Sequence, residues 1–490
     1  LEPSDDVPMA QIDAWLASTA FGEQVARMHR GLIWNRVRGS VLLLRETHLY
    51  LSLVNVSSPA LFNLYRSDLL RGGYAGCFDE PATFDPVTGA PIYTFDPATG
   101  TNREGWVEVS PYWAPDTTVK VCAGDAQTAL YAPDGTSCKS RMGLTRAECG
   151  CGPNLNWCST FEGEMLIRDS LGQAVDVRVQ KLIENKAPYT DLYTTNVSYF
   201  NGPLIHYWRH LYQRYNQLLV EPSPAPAYML PKDVPFTATD TWVPIKLGAH
   251  HAGILTSAAY LMRHTSNRRR ARRFIESVVC QPLILPEGGL EIDSEGPPDP
   301  DVTKQPGCKY CHAILEPNAQ HWGRWSQFGA AYLSPETHPP CRSDCEKCVT
   351  TGTCSFDCRM NYVVQGQLSK ELLYLGWLTP YQFLVEGDVI NEIKAIELET
   401  KIPCDPKLVA QSKVPAIETG PILLIQQAIF DGRLAKCAAQ NVFNWLMGRE
   451  PLEEEEAWVE ALGITFQSSG FDFATLVKAL VTDERYRRVQ

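Results

Sequence analysis

The sequence predicts a mainly α protein of several domains, with disulfide-rich insertions of loops and hairpins. Three observations lead to this fold class. Apolar residues recur at helical spacing through most of the 490-residue chain. Two segments break that spacing, because they are rich in glycine, proline and cysteine. The hydrophobic content of 44% is ordinary for globular proteins, and the length suffices for roughly two to four domains with a buried core.

The first two expected regions differ sharply in composition. Residues 1-71 form an N-terminal helical region, because the apolar spacing from about Met9 to Tyr65 is typical of amphipathic helices. Residues 72-160 are rich in Gly, Pro, Asp and Thr, and they are expected to form a Cys-rich insert of loops and short hairpins. The cysteines of this insert are Cys77, Cys122, Cys138, Cys149, Cys151 and Cys158.

A short repeat lies inside this insert. The tetrapeptide Thr-Phe-Asp-Pro occurs at residues 83–86 and again at 94–97, each time followed by Thr-Gly. The Asp and Thr oxygens could hold a calcium ion, but Asp-Pro and Thr-Gly are ordinary turn chemistry. We therefore favour a pair of turns.

The remaining chain divides into four expected regions. Residues 161-245 form a helical domain with a proline-rich interruption at 221–231, and residues 246-335 form a module that contains the motif described next. Residues 336-361 form a compact cysteine cluster. Residues 362-490 form a C-terminal helical domain that ends in three helices around 422–447, 452–466 and 473–485.

Residues 308–312 read Cys-Lys-Tyr-Cys-His, the C-x-x-C-H signature of covalent c-type haem attachment. Cys308 and Cys311 can each form a thioether to a haem vinyl group, and His312 is then placed to bind the iron. The alternatives are a zinc knuckle, or a disulfide beside an incidental histidine. The motif predicts a multi-domain helical c-type cytochrome with one covalent haem c, bound by the module at 246-335.

The cysteine content predicts an oxidising compartment. The chain has 16 cysteines, and the fourteen outside the haem motif are an even number that suits disulfides. Export also agrees with c-haem attachment, so we expect a periplasmic or extracellular protein. The first residues contain neither a basic segment nor an apolar signal segment, so we expect the chain to be a mature or trimmed form.

Charge and hydropathy limit the partners. Acidic residues exceed basic ones by 56 to 44, giving a formal net charge of −12, which makes nucleic acid an unfavourable partner and would steer a basic redox protein towards the chain. The sequence contains no run of 18 apolar residues, so no transmembrane segment is expected.

A family resemblance rests on residues 192–195, 199–204, 249–256, 265–268, 274–280, 308–312, 314–317, 323–325, 446–449, 471–473 and 476–477. In these residues the sequence resembles the planctomycete-type cytochrome C family. These are large secreted proteins, also common in myxobacteria, built from successive domains of unknown function. The resemblance is good over 161–490 and weak over 1–71, while the two Cys-rich segments look like additions. It implies a helical, haem-bearing, secreted protein without implying a reaction.

Several side chains near the motif are candidates for the haem surroundings. The Pro317 carbonyl could orient the His312 ring, although Pro317 could equally be a plain turn residue. Aromatic residues could cover the porphyrin and exclude water, or they could belong to the protein core. These aromatic residues are Tyr310, Trp322, Trp325 and Phe328.

The second axial ligand is left open between three possibilities. His250 or His251 could bind the iron from the opposite side, because both lie in the same module directly before a helix. Met262 or His264, further along that helix, is the second possibility. An open or more distant site is the third.

An arginine run and a cysteine cluster each have two possible explanations. An arginine run at 268–273 could pair with haem propionates or dock an acidic partner, or it could be a solvated helix face. The cluster Cys341, Cys345, Cys348, Cys354 and Cys358 could hold zinc or an iron–sulfur cluster, but disulfides are favoured in an exported protein.

Three hypotheses of function follow. The leading one is an exported monohaem cytochrome that passes single electrons to redox partner proteins as a subunit of a complex, because its size exceeds the needs of one haem. The second is a haem-dependent peroxidase or oxygenase with an open sixth site. The third is a structural or binding subunit in which haem is a folding staple. An electron-transfer protein is therefore expected rather than a catalyst, and no G-x-S-x-G, H-E-x-x-H or P-loop pattern suggests another reaction.

Overall fold

The computed structural model describes residues 9–37, 49–54, 61–64, 76–138, 146–155, 158–159, 161–214, 230–281, 283, 309–325, 330, 332–334 and 419–489. About half of the structure is helical and 11% is strand, so the chain is mainly α, as predicted. The chain forms two compact units. The helical unit contains Leu1–Arg36, Gln173–Ser198 and Lys246–Gln490, and the insert unit contains Val37–Gly172 and Tyr199–Ile245. The predicted boundaries of the six sequence regions remain predictions.

The helices follow the apolar spacing of the sequence. Several begin at a residue whose side chain accepts a hydrogen bond from the first turn, as Ser18, Ser266 and Asp472 do. The helices are α1 (Met9–Leu16), α2 (Thr19–Ile33), α3 (Phe161–Glu184), α4 (Asp191–Thr194), α5 (Gly202–Arg214), α6 (Ala258–Arg263), α7 (Asn267–Ser277), α8 (Lys309–Ala319), α9 (Pro421–Phe430), α10 (Arg433–Met447), α11 (Glu456–Ser468), α12 (Phe473–Val481) and α13 (Glu484–Val489).

The strands of the described residues are short and form three small sheets. A five-stranded sheet has the order β5-β6-β2-β1-β7, and the pairs β3-β4 and β8-β9 form two-stranded sheets. The strands are β1 (Leu49–Val54), β2 (Leu61–Leu64), β3 (Thr94–Asp96), β4 (Thr101–Arg103), β5 (Trp106–Val109), β6 (Val119–Cys122), β7 (Cys158–Ser159), β8 (Val197–Phe200) and β9 (Val243–Lys246).

The expectation of helices up to Tyr65 is wrong over residues 49–54 and 61–64. These residues form β1 and β2, which pair antiparallel with Leu51 opposite Leu64 and Val54 opposite Leu61. Strand β2 also pairs in parallel with β6 from the Cys-rich insert. The apolar spacing of a short segment does not distinguish a strand from a helix, and pairing with a distant strand decided the outcome here.

The C-terminal helices pack in the core of the helical unit. Helix α10 buries Leu434, Val442 and Phe443, and α11 buries Trp458 and Phe466. The ring of Phe443 meets the ring of Trp458 edge to face, with centroids 5.4 Å apart. The helical pattern around 422–447 is divided into α9 and α10, because Gly432 has a φ of 79° that interrupts the helix.

The insert unit contains the predicted hairpins and disulfides. Cys77 is bonded to Cys122 and Cys138 to Cys149, while a third disulfide, between Cys280 and Cys437, lies in the helical unit. The expectation of disulfides is therefore confirmed for these pairs. Cys151 is also disulfide-bonded.

The two Thr-Phe-Asp-Pro segments lead into turns at residues 86–88 and 97–100, as favoured, although Thr94–Asp96 itself forms β3. The Asp85 carboxylate accepts hydrogen bonds from the backbone N–H groups of Val87 and Thr88, and hydrogen bonding with Thr88 lowers the pKa of Asp85. The Asp96 carboxylate accepts hydrogen bonds from the Ala98 backbone N–H and from the Arg103 guanidinium. These contacts account for the Asp and Thr residues without a calcium ion.

In the described part of the chain, none of the helices combines the length and the apolar character needed to cross a membrane.

Candidate functional site

Four residues of the C-x-x-C-H motif, 309–312, form the start of α8. Cys311 and His312 are in the first turn of this helix, and both side chains are partly buried. Cys311 is not disulfide-bonded. Tyr310 is 42% exposed. Cys308 lies outside the described residues, so the structure places one of the two predicted thioether cysteines beside the predicted iron ligand.

Pro317 lies inside α8 and not in a turn. A proline at this position cannot donate the backbone hydrogen bond to the residue four positions earlier, and the helix ends soon after it at Ala319. The role of the Pro317 carbonyl towards His312 stays a prediction.

Trp322 and Trp325 are core residues close behind α8. Trp322 lies in a 3₁₀ turn, Gln320–Trp322, and its indole N–H donates to the Leu255 carbonyl at 2.9 Å. Both indoles are almost fully buried. Trp322 and Trp325 therefore belong to the protein core in this structure, which is the second of the two alternatives given for them. Phe328 lies outside the described residues.

His250 and His251 lie against Trp325. The His250 ring centroid is 5.6 Å from that of Trp325, and the His251 ring meets Trp325 edge to face at 5.0 Å. The His250 ring also stacks on Tyr332, with centroids 3.6 Å apart. Burial lowers the pKa of His250 to about 4, so the neutral imidazole, the form that binds metal, is favoured near neutral pH.

A backbone pairing places Tyr332 at this histidine pair. Trp325 and Tyr332 form an antiparallel bridge, and the Leu333 N–H donates to the Arg324 carbonyl at 2.7 Å. Sequence reasoning missed Tyr332, because no motif or spacing connects it with His250. The antiparallel bridge between Trp325 and Tyr332 is the physical cause of the contact.

The segment after His251 is held by Gly253 and Thr256. Gly253 has a φ of 52°, and a Cβ atom there would lie 2.0 Å from the Leu192 carbonyl oxygen. The Thr256 hydroxyl accepts a hydrogen bond from the Ala252 N–H at 2.8 Å and lies 3.1 Å from His251 Nδ1. This close approach to α4 fixes the backbone that presents both histidines.

The other proposed axial ligands, His264 and Met262, lie in the protein core. His264 Nε2 donates to the Ile33 carbonyl at 3.0 Å, and Met262 is buried. Burial lowers the pKa of His264 to about 4. His321, which lies closer to the motif, donates from Nδ1 to the Gly420 carbonyl. The axial ligand opposite His312 stays a prediction.

Two arginines of the run at 268–273 have structural partners. The fully buried Arg270 guanidinium donates to the carbonyls of Leu261, His264 and Trp325 and to the Asn267 side chain. Arg273 donates to the Leu32 carbonyl at 3.1 Å. These contacts hold α7 against the segments around it, so the run is not a uniformly solvated face.

The structure brings His250, His251 and Trp325 together and places Cys311 and His312 on one helical turn. The cysteine cluster from Cys341 to Cys358 lies outside the described residues. Elsewhere, across the ranges that are described, no group of three or more His, Cys, Asp or Glu side chains could hold a metal ion.

No protein-family model, curated protein or solved structure matches this chain.

Proposed function

We propose that this protein is an exported monohaem c-type cytochrome that carries single electrons as part of a larger assembly. The proposal includes membership of the planctomycete-type cytochrome C family, on the motifs given above. The observation that carries it is the C-x-x-C-H sequence at the start of α8, with Cys311 and His312 on the same helical turn.

The state of the cysteines supports haem attachment. Among the described residues, seven cysteines are disulfide-bonded, in both units, whereas Cys311 is not. A thiol that is kept out of the disulfides is available to form a thioether with a haem vinyl group. With Cys308 it would anchor the porphyrin, and His312 would bind the iron. Haem c, when bound, supplies an iron centre that accepts and releases one electron.

The surroundings of α8 favour a stable site. The buried indoles of Trp322 and Trp325 exclude water from the residues that follow the helix. Disulfides in both units support an oxidising compartment, where covalent attachment prevents loss of haem. A redox partner protein is then required to supply and remove electrons.

Haem attachment is tested by expressing the chain in the periplasm of a host with c-type maturation machinery. We expect haem stain to remain on the polypeptide in a denaturing gel, and the pyridine haemochrome to give one haem per chain. Cys308→Ala with Cys311→Ala should lose the colour. Cys138→Ser with Cys149→Ser is the matched control, because it also removes two cysteines but should keep the colour. Zinc without iron in the wild-type protein would overturn the proposal.

The optical spectrum distinguishes electron transfer from oxidative catalysis. A low-spin spectrum that changes in either His250→Ala or His251→Ala, but not in both, supports a closed site and an electron carrier. A high-spin wild-type protein that binds carbon monoxide readily favours the peroxidase or oxygenase hypothesis instead. Haem that is bound but does not exchange electrons with partner proteins favours a structural role.

A further inference from the structure

Trp34 has an unusual position at the surface of the helical unit. It caps the C-terminus of α2 with φ 55° and ψ 48°, and its N–H donates to the Arg30 carbonyl. Its side chain is 50% exposed. A left-handed conformation is unfavourable for a bulky residue, and glycine would occupy this cap without strain. An exposed tryptophan at a strained position suggests a role beyond folding.

Guanidinium groups cover the Trp34 ring. The Arg273 Cζ atom lies 3.4 Å from the ring centroid, and the Arg263 Cζ atom lies 5.7 Å from it. Arg273 is fixed by its hydrogen bond to Leu32, whereas Arg263 is only partly buried. Trp34 therefore presents a flat apolar ring framed by positive charge.

The chain segments that meet at Trp34 are rich in arginine. Arg36 lies two residues further along and is exposed, and Arg269 is exposed on α7. Glu276 lies 2.7 Å from the Arg272 guanidinium and 4.0 Å from that of Arg273, and Asp176 binds Arg30, so Arg263 carries the positive charge beside the Trp34 ring that these two carboxylates do not pair. This positive surface contrasts with the net charge of −12, so it would select an acidic partner by charge.

Aromatic contacts connect Trp34 with the segment that follows α8. The ring centroids of Trp34 and His264 are 6.5 Å apart, and those of His264 and Tyr260 are 4.8 Å apart. Tyr260 then stacks on Trp322 at 6.2 Å. Trp322 belongs to the 3₁₀ turn directly after the helix that carries Cys311 and His312.

We propose that the exposed Trp34 ring and the partly buried Arg263, with the buried Arg273 guanidinium stacked against the ring, form the docking site for an acidic redox partner protein. We name these three residues the Trp34 surface. The acidic character of the partner follows from the charge of this surface, and its redox character rests on the proposed cytochrome function. The ring contacts from Trp34 to Trp322 form a continuous path from the docked partner towards the helix that carries Cys311 and His312.

Binding of charged peptides tests the charge preference of the Trp34 surface, and this experiment does not depend on haem. The protein is labelled with 5-fluorotryptophan, and the fluorine resonance of Trp34 is identified by its loss in Trp34→Phe. We expect this resonance to shift on titration with an octaglutamate peptide and not with octalysine. Arg263→Gln should weaken octaglutamate binding about fivefold, which is the size of a contribution from one charge at an interface rim.

Trp15 on α1 provides the matched control, because it is 54% exposed in the same unit. Its resonance should not respond to octaglutamate. Equal responses of Trp15 and Trp34, or equal effects of the two peptides on Trp34, would overturn the docking proposal. So would octaglutamate binding that persists unchanged at about 0.5 M salt, where charge attraction is screened.

Electron transfer is tested on haem-loaded protein with small oxidants. Each oxidant takes one electron from the ferrous protein, leaving ferric protein and reduced oxidant. Arg263→Gln should lower the rate constant with anionic hexacyanoferrate(III) about threefold, and not that with a cationic cobalt(III) complex. Equal changes for both oxidants would contradict a charge-selective docking site. Absence of haem would instead refute the cytochrome proposal, while the peptide titration would still test the surface.

Discussion

At the scale of single residues, burial determines the protonation of several histidines. His29 is 1% exposed, and its Nδ1 donates to the Val25 carbonyl at 2.8 Å while its Nε2 accepts from the Tyr189 hydroxyl at 3.0 Å. Both ring nitrogens are therefore satisfied by a neutral imidazole. Desolvation lowers the pKa of His29 to about 4, although the bond to Val25 opposes this shift.

We predict that His29 makes the helical unit less stable in acid. Its pKa is lower in the folded protein than in the unfolded chain, so its contribution is complete above about pH 6.5 and is lost as the pH falls towards 4. Between pH 7 and pH 5 the free energy of unfolding should fall by about 2 kcal/mol more in the wild type than in His29→Gln. Urea unfolding followed by fluorescence measures this difference.

The control is the free energy of unfolding of the wild type and of His29→Gln at pH 8. His29 is neutral at this pH, so the difference between the two free energies reflects lost packing alone. Parallel pH dependence of the two proteins would show that His29 does not control acid stability.

At the scale of elements, the segment at 253–256 depends on one glycine. The 3₁₀ turn Gly253–Thr256 is buried and lies against α4, where the Leu192 carbonyl occupies the space that a Cβ at Gly253 would need. Helix α6 follows directly and begins at Ser257, whose side chain accepts from the Tyr260 N–H. The local geometry of the histidine pair therefore depends on backbone packing, and not only on the histidines themselves.

We predict that Gly253→Ala costs about 3 kcal/mol or more of unfolding free energy, because a methyl group would force α4 and the turn apart. Gly470→Ala is the matched control. Gly470 also has a positive φ, of 74°, but nothing lies within 4 Å of its Cβ position. Its substitution should cost only about 1–2 kcal/mol. Thermal and urea unfolding measure both values, and equal losses would contradict the packing argument.

At the scale of the whole molecule, disulfides constrain each unit. The Cys280–Cys437 bond closes a sequence separation of 157 residues in the helical unit and connects the end of α7 with α10. The Cys138–Cys149 bond closes only 11 residues in the insert unit. A longer closed loop removes more conformational entropy from the unfolded chain.

We predict that the long-range disulfide contributes more stability than the short one. The chain-entropy model gives about 5 kcal/mol for Cys280–Cys437 and about 3 kcal/mol for Cys138–Cys149. The variant Cys280→Ser with Cys437→Ser should therefore lose more stability than Cys138→Ser with Cys149→Ser. Probes in each unit follow unfolding, and non-reducing mass spectrometry confirms the pairs in the wild type. A larger loss in the short-loop variant would contradict the entropic argument.

The parts of the fold that the sequence predicts are those that depend on residues close together in the chain. Helices such as α2 and α10 follow from their own spacing of apolar residues, and the Cys-rich insert follows from its composition. Strands β1 and β2 were missed, because β2 is stabilised by pairing with β6 far along the chain. The candidate site divides in the same way. The C-x-x-C-H motif is local, whereas the stacking of His250 on Tyr332 requires an antiparallel bridge that no motif announces.

The sequence by itself determined the helical class, the cysteine-rich insert and the adjacency of Cys311 and His312, because each depends on residues close together in the chain. Only the tertiary structure decided which cysteines pair, which arginines are buried and which tryptophans reach the surface. Arg270 and Arg269 are neighbours on α7, yet one is fully buried and the other is exposed. Burial depends on what packs against each face of a helix, and that is set by distant parts of the chain.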